Sequence, residues 1–283
     1  MSRIAISCDS TCSISRSEAE KLGIYILPLN VIVDSVEYHD GIDINQKKLS
    51  PMMKSGSIIK TSTPTFGELE AHFNHIFEQR YDHIVHICIS SKLTSIYNMT
   101  TKFCEEHYGD KITVIDSLSV CSYMGNLVKY ASLLASKDTA PAEIAEKVKE
   151  RVNQDEIYFF PETLTYLKRG GRISPAIALL GNLIGIKPVL KFENGSIEKE
   201  GTTHVIKKEC EKLLKVINEK NYDPNLFEIH IVSFDCDSLE EYIFQKTMEI
   251  LPCFEIKRTP ISINVCAHCG PGTIGIGICR KSE

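Results

Sequence analysis

Several signatures that would assign a chemistry outright are missing from this 283-residue chain. It has no GxxxxGK loop ending in Ser or Thr to cradle a nucleoside triphosphate, no GxSxG elbow and no HExxH helix. A basic surplus is lacking too: 32 Lys and Arg stand against 37 Asp and Glu, a formal net charge of -5. Nucleic acids and anionic membranes need a positive footprint, so a small ligand or a protein partner fits this balance better. The opening MSRIAISCDS carries no basic-then-apolar leader, so the eleven cysteines are expected to be reduced thiols in the cytoplasm, without disulfides. Long hydrophobic runs are absent as well. PAIALLGNLIGIKPVL is broken by Gly, Asn and Lys, so no stable membrane insertion is expected. No internal repeat or low-complexity tract is visible.

What is present is a 43% hydrophobic content, enough for a large core in one big domain or two smaller ones. Short β-branched runs alternate with amphipathic stretches, as in βα units around a mostly parallel sheet. RIAISC, YILPLNVIV, DHIVHICI and KITVID read as strands. SRSEAEKLG, TFGELEAHFNHIFEQRY, SIYNMTTKFCEEHYG and residues 120–137 read as helices. Thr65 and Glu68 are spaced as a capping box, with Leu69, Phe73, Ile76 and Phe77 on one face.

A helix from Pro141 follows, and then the pattern changes. Strand EIYFFPE, short helix TLTYLKRGG, an apolar helix from Ser174 and a hairpin at Asn194-Gly195 lead into a second βα unit. That unit comprises helix THVIKKECEKLLKVINEK, strand FEIHIVSF, helix SLEEYIFQKTMEIL and a closing pair of strands around CAHCGPGTIGIGIC. The expected fold is α/β in two domains, 1–152 with a mostly parallel sheet and 153–283, with the ligand in the cleft between them.

Four hydroxyl clusters accompany the predicted strands: Ser10-Thr11, Ser90-Ser91 through Thr94-Ser95, Ser117 to Ser119, and Thr61-Ser62-Thr63. In an open parallel sheet, ligands sit beyond the carboxyl ends of strands, where helix N-termini favour anions. The plainer reading is that Ser and Thr precede helices as N-caps. His268 lies in CAHCGPG, read here as a glycine-rich turn from which an imidazole can donate to a carboxylate. Cys266 and Cys269, with Cys8 and Cys12, raise the thought of zinc, but lack the paired CxxC spacing of a structural module; no metal is expected. His72 and His75 flank an apolar stripe and read as a solvated edge. Lys168, Arg169 and Arg172 form a basic turn that is either an anion site, a docking surface or simply solvated.

In order along the chain, Cys8-Asp9-Ser10-Thr11, Pro28-Leu29, Tyr38-His39-Asp40-Gly41, Lys60-Thr61-Ser62, Ser90-Ser91-Lys92-Leu93, Ile115-Asp116-Ser117, the stretch from Leu167 to Ser174, Ile186-Lys187-Pro188 and His268-Cys269-Gly270-Pro271-Gly272 resemble the successive motifs of the DegV family. The resemblance implies a fatty-acid-binding carrier without catalysis or cofactor of its own. It further implies a long-chain fatty acid presented to an ATP-dependent fatty acid kinase subunit that makes acyl phosphate. By the same resemblance the carboxylate is held by Thr61, with Ser62 beside it, by Thr94 and by His268, while Arg169 and Arg172 dock the partner; Ser95, where the family has Gly, is read as an added donor. Two departures stand out. Leu93-Thr94-Ser95-Ile96-Tyr97 replaces the usual Leu-Ser-Gly-Thr-Tyr, which adds a methyl at the head-group contact and restricts its rotamer. Glu200-Gly201-Thr202 stands where many relatives carry Arg before Thr. The competing readings are a lipid hydrolase or acyl transferase, with Ser91, Thr94 or Ser95 as nucleophile and His268 as base, and a two-domain sensor.

Overall fold

The structure is a computed structural model that describes residues 3–174, 177 and 185–282. Its first sheet holds β1 (Ile4–Asp9), β2 (Ile24–Leu27), β6 (His83–Cys88) and β7 (Ile112–Asp116) in the order β2-β1-β6-β7, all parallel. Buried on both faces, these strands read as continuous apolar runs, as parallel sheets do. Helices α3 (Phe66–Glu78) and α4 (Ile96–His107) cover one face with Leu69, Phe73, Ile76 and Phe103. On the other, α1 (Arg16–Leu22), α5 (Cys121–Ser136) and α6 (Pro141–Arg151) pack Ala19, Met124, Val128 and Ile144 against Ile6, Val85, Ile87 and Ile115.

YILPLNVIV is not one strand. Pro28 has no N–H to give to a ladder and restricts the residue before it, so the chain breaks there. After the break, β3 (Asn30–Val33) joins a separate antiparallel sheet, β4-β3-β5, with β4 (Val36–His39) and β5 (Ile59–Ser62). Between β4 and β5 lies α2 (Gln46–Lys54), which sequence reading did not anticipate.

The third sheet has six strands in the order β10-β9-β8-β13-β11-β12: β8 (Glu156–Phe160), β9 (Lys187–Glu193), β10 (Ser196–Thr203), β11 (Phe227–Phe234), β12 (Ile256–Pro260) and β13 (Thr273–Arg280). All neighbours run antiparallel except β11 and β12. The turn joining β9 to β10 places Asn194 at φ 49° and Gly195 at φ 81°, the two positive values that a two-residue hairpin of this twist needs. Helix α7 (Thr165–Gly170) follows β8; α8 (Ile206–Glu219) and α9 (Asp237–Ile250) pack on the outer face against Ile274, Ile276 and Ile278. The apolar helix expected from Ser174 falls almost wholly outside the described residues.

Between the closing strands β12 and β13, the segment around His268 forms a helix rather than a turn: α10 (Ile263–Cys269). The inner face of the six-stranded sheet, α10, α2 and the three-stranded sheet share a core that includes Val31, Leu49, Tyr123, Ile157, Phe192 and Phe234. Every strand through Asp116 lies in the first two sheets, and every strand from Glu156 onward lies in the third.

Candidate functional site

Helix α10 is too short to hold itself in place, and its N-terminal amides are met by a side chain from far away in sequence. Asp40 accepts from the amides of Ile263 at 3.0 Å and Asn264 at 3.2 Å, and from Ser10 Oγ at 3.0 Å. A carboxylate at this end of a helix satisfies donors that otherwise lack partners. Its burial nevertheless pushes the Asp40 carboxyl up to about 6, partly offset by those same bonds. Gln46 braces the segment too, donating to the carbonyls of Ser233 and Ile261.

Held this way, the last turn of α10 carries His268 to β5, where its Nε2 lies 2.9 Å from Thr61 Oγ1. The other edge of the ring rests on Gly170: a Cβ there would stand 2.4 Å from His268 Nδ1. Burial, reinforced by the positive charge of Arg172, pulls the imidazole down to about 4. His268 is thus neutral near pH 7, with one nitrogen able to donate and one to accept.

Thr61 and His268 border a cavity of about 210 Å³, counted as space open to the centres of water-sized spheres. Thr61 bonded to His268, and Arg172 bonded to the Leu93 carbonyl beside Thr94 and Ser95, mark its polar end; Ser62, Thr63, Asn264 and Thr273 are its other polar lining residues, and the rest is lined by Ile, Leu, Val, Phe, Tyr, Cys and the backbone of Gly275. Neither the Thr94 nor the Ser95 hydroxyl has a hydrogen-bond partner among the described residues, although Ser95 occupies the N-cap of α4. An N-cap hydroxyl left free is available to a ligand.

The four hydroxyl clusters therefore separate. Ser10 bonds Asp40, Thr11 bonds Asp9, Ser90 donates to the Gly195 carbonyl and Ser117 to the Ser119 carbonyl, so these side chains are spent on loops. Only the Thr61-Ser62-Thr63 and Thr94-Ser95 groups face the cavity. The plain N-cap or loop reading holds for the others.

Arg169 and Arg172, grouped as one docking patch in the sequence, point different ways. Gly171 ends α7 at φ 71°, a left-handed value that suits glycine, and turns the chain between them. Arg169 is exposed, 6.0 Å from the centre of the Tyr166 ring. Arg172 is half-buried in the cavity wall, donating from Nε to the Leu93 carbonyl at 3.2 Å and from Nη1 to the Gly170 carbonyl. It is a cation at the polar end that sequence reading assigned elsewhere. Asn264 is a second cavity residue it missed; no motif marks it, because its place depends on how Asp40 sets α10.

The histidines of α3 also divide. His75 is exposed, whereas His72 turns inward to Ser7 Oγ at 2.7 Å, and Ser7 meets His86 Nδ1 at 2.9 Å. Burial pulls His72 down to about 4 and His86 to about 3. His72 is half-buried, not a solvated edge.

All eleven cysteines are free thiols. Cys8 and Cys12 sit with their Sγ atoms 3.5 Å apart, while Cys266 and Cys269 lie on α10. Away from the cavity, Glu228, His230 and Cys279 bring three potential ligand atoms within 4.8 Å. Both nitrogens of His230 are already engaged there, by Ser122 Oγ at 2.8 Å and Glu228 Oε1 at 2.9 Å. No helix among the described residues is long and apolar enough to cross a membrane.

A family profile described as uncharacterised protein, DegV family, matches residues 3–281. A DegV domain-containing protein of Clostridium acetobutylicum is 27% identical over 287 residues, covering 99% of this chain and all 100% of that one. Among solved structures, DegV of Bacillus subtilis, described as a fatty acid binding protein, is 25% identical with a TM-score of 0.88, over 99% of this chain and 100% of that chain. A DegV family protein of Thermus thermophilus, described by its fatty acid binding, superposes with a TM-score of 0.90 at 24% identity, over 98% and 99%.

Proposed function

The chain belongs to the DegV family, and from that premise we propose that it binds one long-chain fatty acid and offers the carboxylate to an ATP-dependent kinase partner that makes acyl phosphate. The observation that carries the binding half is the cavity itself, whose mostly apolar lining includes the bonded pair Thr61 and His268 with Thr94, Ser95 and Arg172. A fatty acid has that polarity. Its carboxylate would meet Thr61, Thr94, Ser95 and His268, with the guanidinium of Arg172 as counter-charge. Each charge-assisted hydrogen bond contributes about 1.5–3 kcal/mol, so several are needed to offset desolvation of the anion. The acyl chain adds about 0.8 kcal/mol per buried methylene. Ser62 borders the same end.

On this reading residues 1–152 supply the hydroxyls and residues 153–283 supply Arg172 and His268, so the ligand is gripped from both sides. The kinase half rests on the family resemblance and on Arg169, which is exposed and free to meet an acidic partner. The protein is then a cytoplasmic carrier. A hydrolase would need His268 oriented by a carboxylate and facing a nucleophile. Among the described residues His268 bonds Thr61, and no carboxylate bonds His268.

The test is extraction of the purified protein with organic solvent followed by mass spectrometry. Stoichiometric long-chain fatty acid supports the carrier reading, and steady hydrolysis of acyl esters lost in His268→Ala would replace it. In a kinase-coupled assay, Arg169→Glu should block acyl-phosphate formation while sparing lipid binding.

A further inference from the structure

The cavity is bounded beyond its polar end by a row of residues set by sheet register. Ile197, Phe192, Ile157 and Gly277 are successive cross-strand partners on β10, β9, β8 and β13, and cross-strand partners share a face. Gly277 leaves a gap that the Tyr123 ring of α5 fills, with Cε1 2.5 Å from where a Cβ would stand. Tyr123 is locked by its hydroxyl, which donates to the His230 carbonyl at 3.3 Å, and is 1% exposed. The polar end lies beside Thr273, whose hydroxyl donates to the carbonyls of Cys269 and Gly270 at the end of α10. From Thr273 to Gly277 along β13 is four residues, about 13 Å of strand.

Behind this row is a second void of about 20 Å³, in whose wall Ser117, Ser119, Arg151 and Asp155 stand with Leu118, Leu127 and Val152. Only Ile157 and Phe192 line both spaces. They are register partners on adjacent strands and form a partition one side chain thick. The near side is apolar. The far side mixes polar and apolar groups, and the Ser119 hydroxyl there has no partner among the described residues.

We propose that Phe192 and Ile157, with Tyr123 seated over Gly277, are the stop that sets acyl chain length, a deepening that rests on the fatty-acid reading above. The methyl end of a chain that fits packs against Phe192. A longer chain must displace that ring and enter a void of about 20 Å³, too small for more than a methylene or so, where Ser119, Arg151 and Asp155 would lose access to water. The partition selects by size.

The experiment ranks saturated fatty acids of increasing length by competition against a fluorescent acyl probe. It compares the full-length wild type with Phe192→Ala, Phe192→Leu and Phe192→Trp. Phe192→Ala opens the partition and should move the preferred length up by two or more carbons. Each methylene newly accommodated should gain about fourfold in affinity. Phe192→Leu should move it less. Phe192→Trp introduces the only tryptophan in the chain, should favour shorter acids, and gives an indole signal that changes on loading. An unchanged ranking in folded variants overturns the proposal while leaving fatty-acid binding intact. Failure of the wild type to bind any acid overturns the underlying reading instead. Should Phe192→Ala not fold, the opposite shifts of the Leu and Trp variants decide the matter, and their absence counts against the stop.

Discussion

His268 and Thr61 meet across 207 positions of sequence, Nε2 to Oγ1 at 2.9 Å. One comes from the last turn of a helix against the six-stranded sheet, the other from the three-stranded sheet, so the polar end exists only when both are in place. The two groups satisfy each other in this structure, and an arriving carboxylate would draw hydrogen bonds from both.

Thr61→Val keeps the shape of the side chain and removes its hydroxyl. Affinity for a long-chain acid, measured by titration calorimetry, should fall by roughly 10- to 150-fold, the equivalent of about 1.5–3 kcal/mol. Thr61→Ser should restore most of it. Equal affinity in all three proteins would remove Thr61 from the head-group site.

Gly170→Ala separates position from stability. Gly170 lies in α7, where alanine is the better helix former by about 1 kcal/mol. Its Cβ, however, would press on His268 Nδ1 at 2.4 Å. The variant should melt no more than a few degrees below wild type while binding at least about tenfold more weakly, through loss of one hydrogen bond. Undiminished binding would show that the imidazole is not needed where it stands.

Asp40→Ala should act on the same site from a distance. Its carboxylate caps α10 through two amides, and losing a cap while leaving buried donors unpaired costs about 2–4 kcal/mol. Denaturant unfolding should show that loss, accompanied by weaker fatty-acid binding although Asp40 is not a cavity residue. Full affinity in the destabilised variant would mean α10 keeps its place without the cap.

The Ser7, His72 and His86 cluster should make the fold acid-sensitive. His86 is fully buried and is pulled down to about 3 by loss of hydration, against an unfolded value near 6.5. A depressed imidazole contributes stability that is complete above the unfolded value and declines as pH falls toward the folded one. For His86 the slope is about 1.4 kcal/mol per pH unit. Asp40 and Asp155, pushed up by burial to about 6 and about 7, act in the opposite sense, gaining stability as pH falls toward their unfolded value. The informative quantity is therefore wild type minus His86→Gln, in which the aspartates cancel. That difference should shrink steadily from pH 6.5 to 4, and a constant difference would contradict the assignment.

Local signals in the sequence were faithful wherever local forces decide. The strand FEIHIVSF spans Phe227–Phe234 as written, and the Thr65 and Glu68 capping box is formed. The Asn-Gly turn adopts its two positive φ values. The sequence reads His268 as part of a turn because seven residues with no side-chain cap of their own do not announce a helix. The missing cap is Asp40, 223 positions away from Ile263. Arg172 reads together with Arg169 because adjacency in sequence says nothing about the turn at Gly171 that parts them. Sequence alone overstates the number of free hydroxyls for a related reason: Ser10 and Ser90 look like Thr94 until their partners, Asp40 and the Gly195 carbonyl, are known. Phe192 carries no motif at all, since its role depends on the register between β8 and β9.

The alternation Thr273-Ile-Gly-Ile-Gly-Ile on β13 divides two duties between the faces of one strand. Ile274, Ile276 and Ile278 are fully buried against α8 and α9, while Gly275 forms cavity floor and Gly277 receives Tyr123. Trimming an isoleucine should cost folding free energy and leave the hollow unchanged. Adding a methyl at Gly275 would bring a Cβ within 2.7 Å of Val232 Cγ2 and reshape the hollow. Holding capacity and fold stability are thus written on opposite sides of the same eight residues, and substitution can adjust one with little reference to the other.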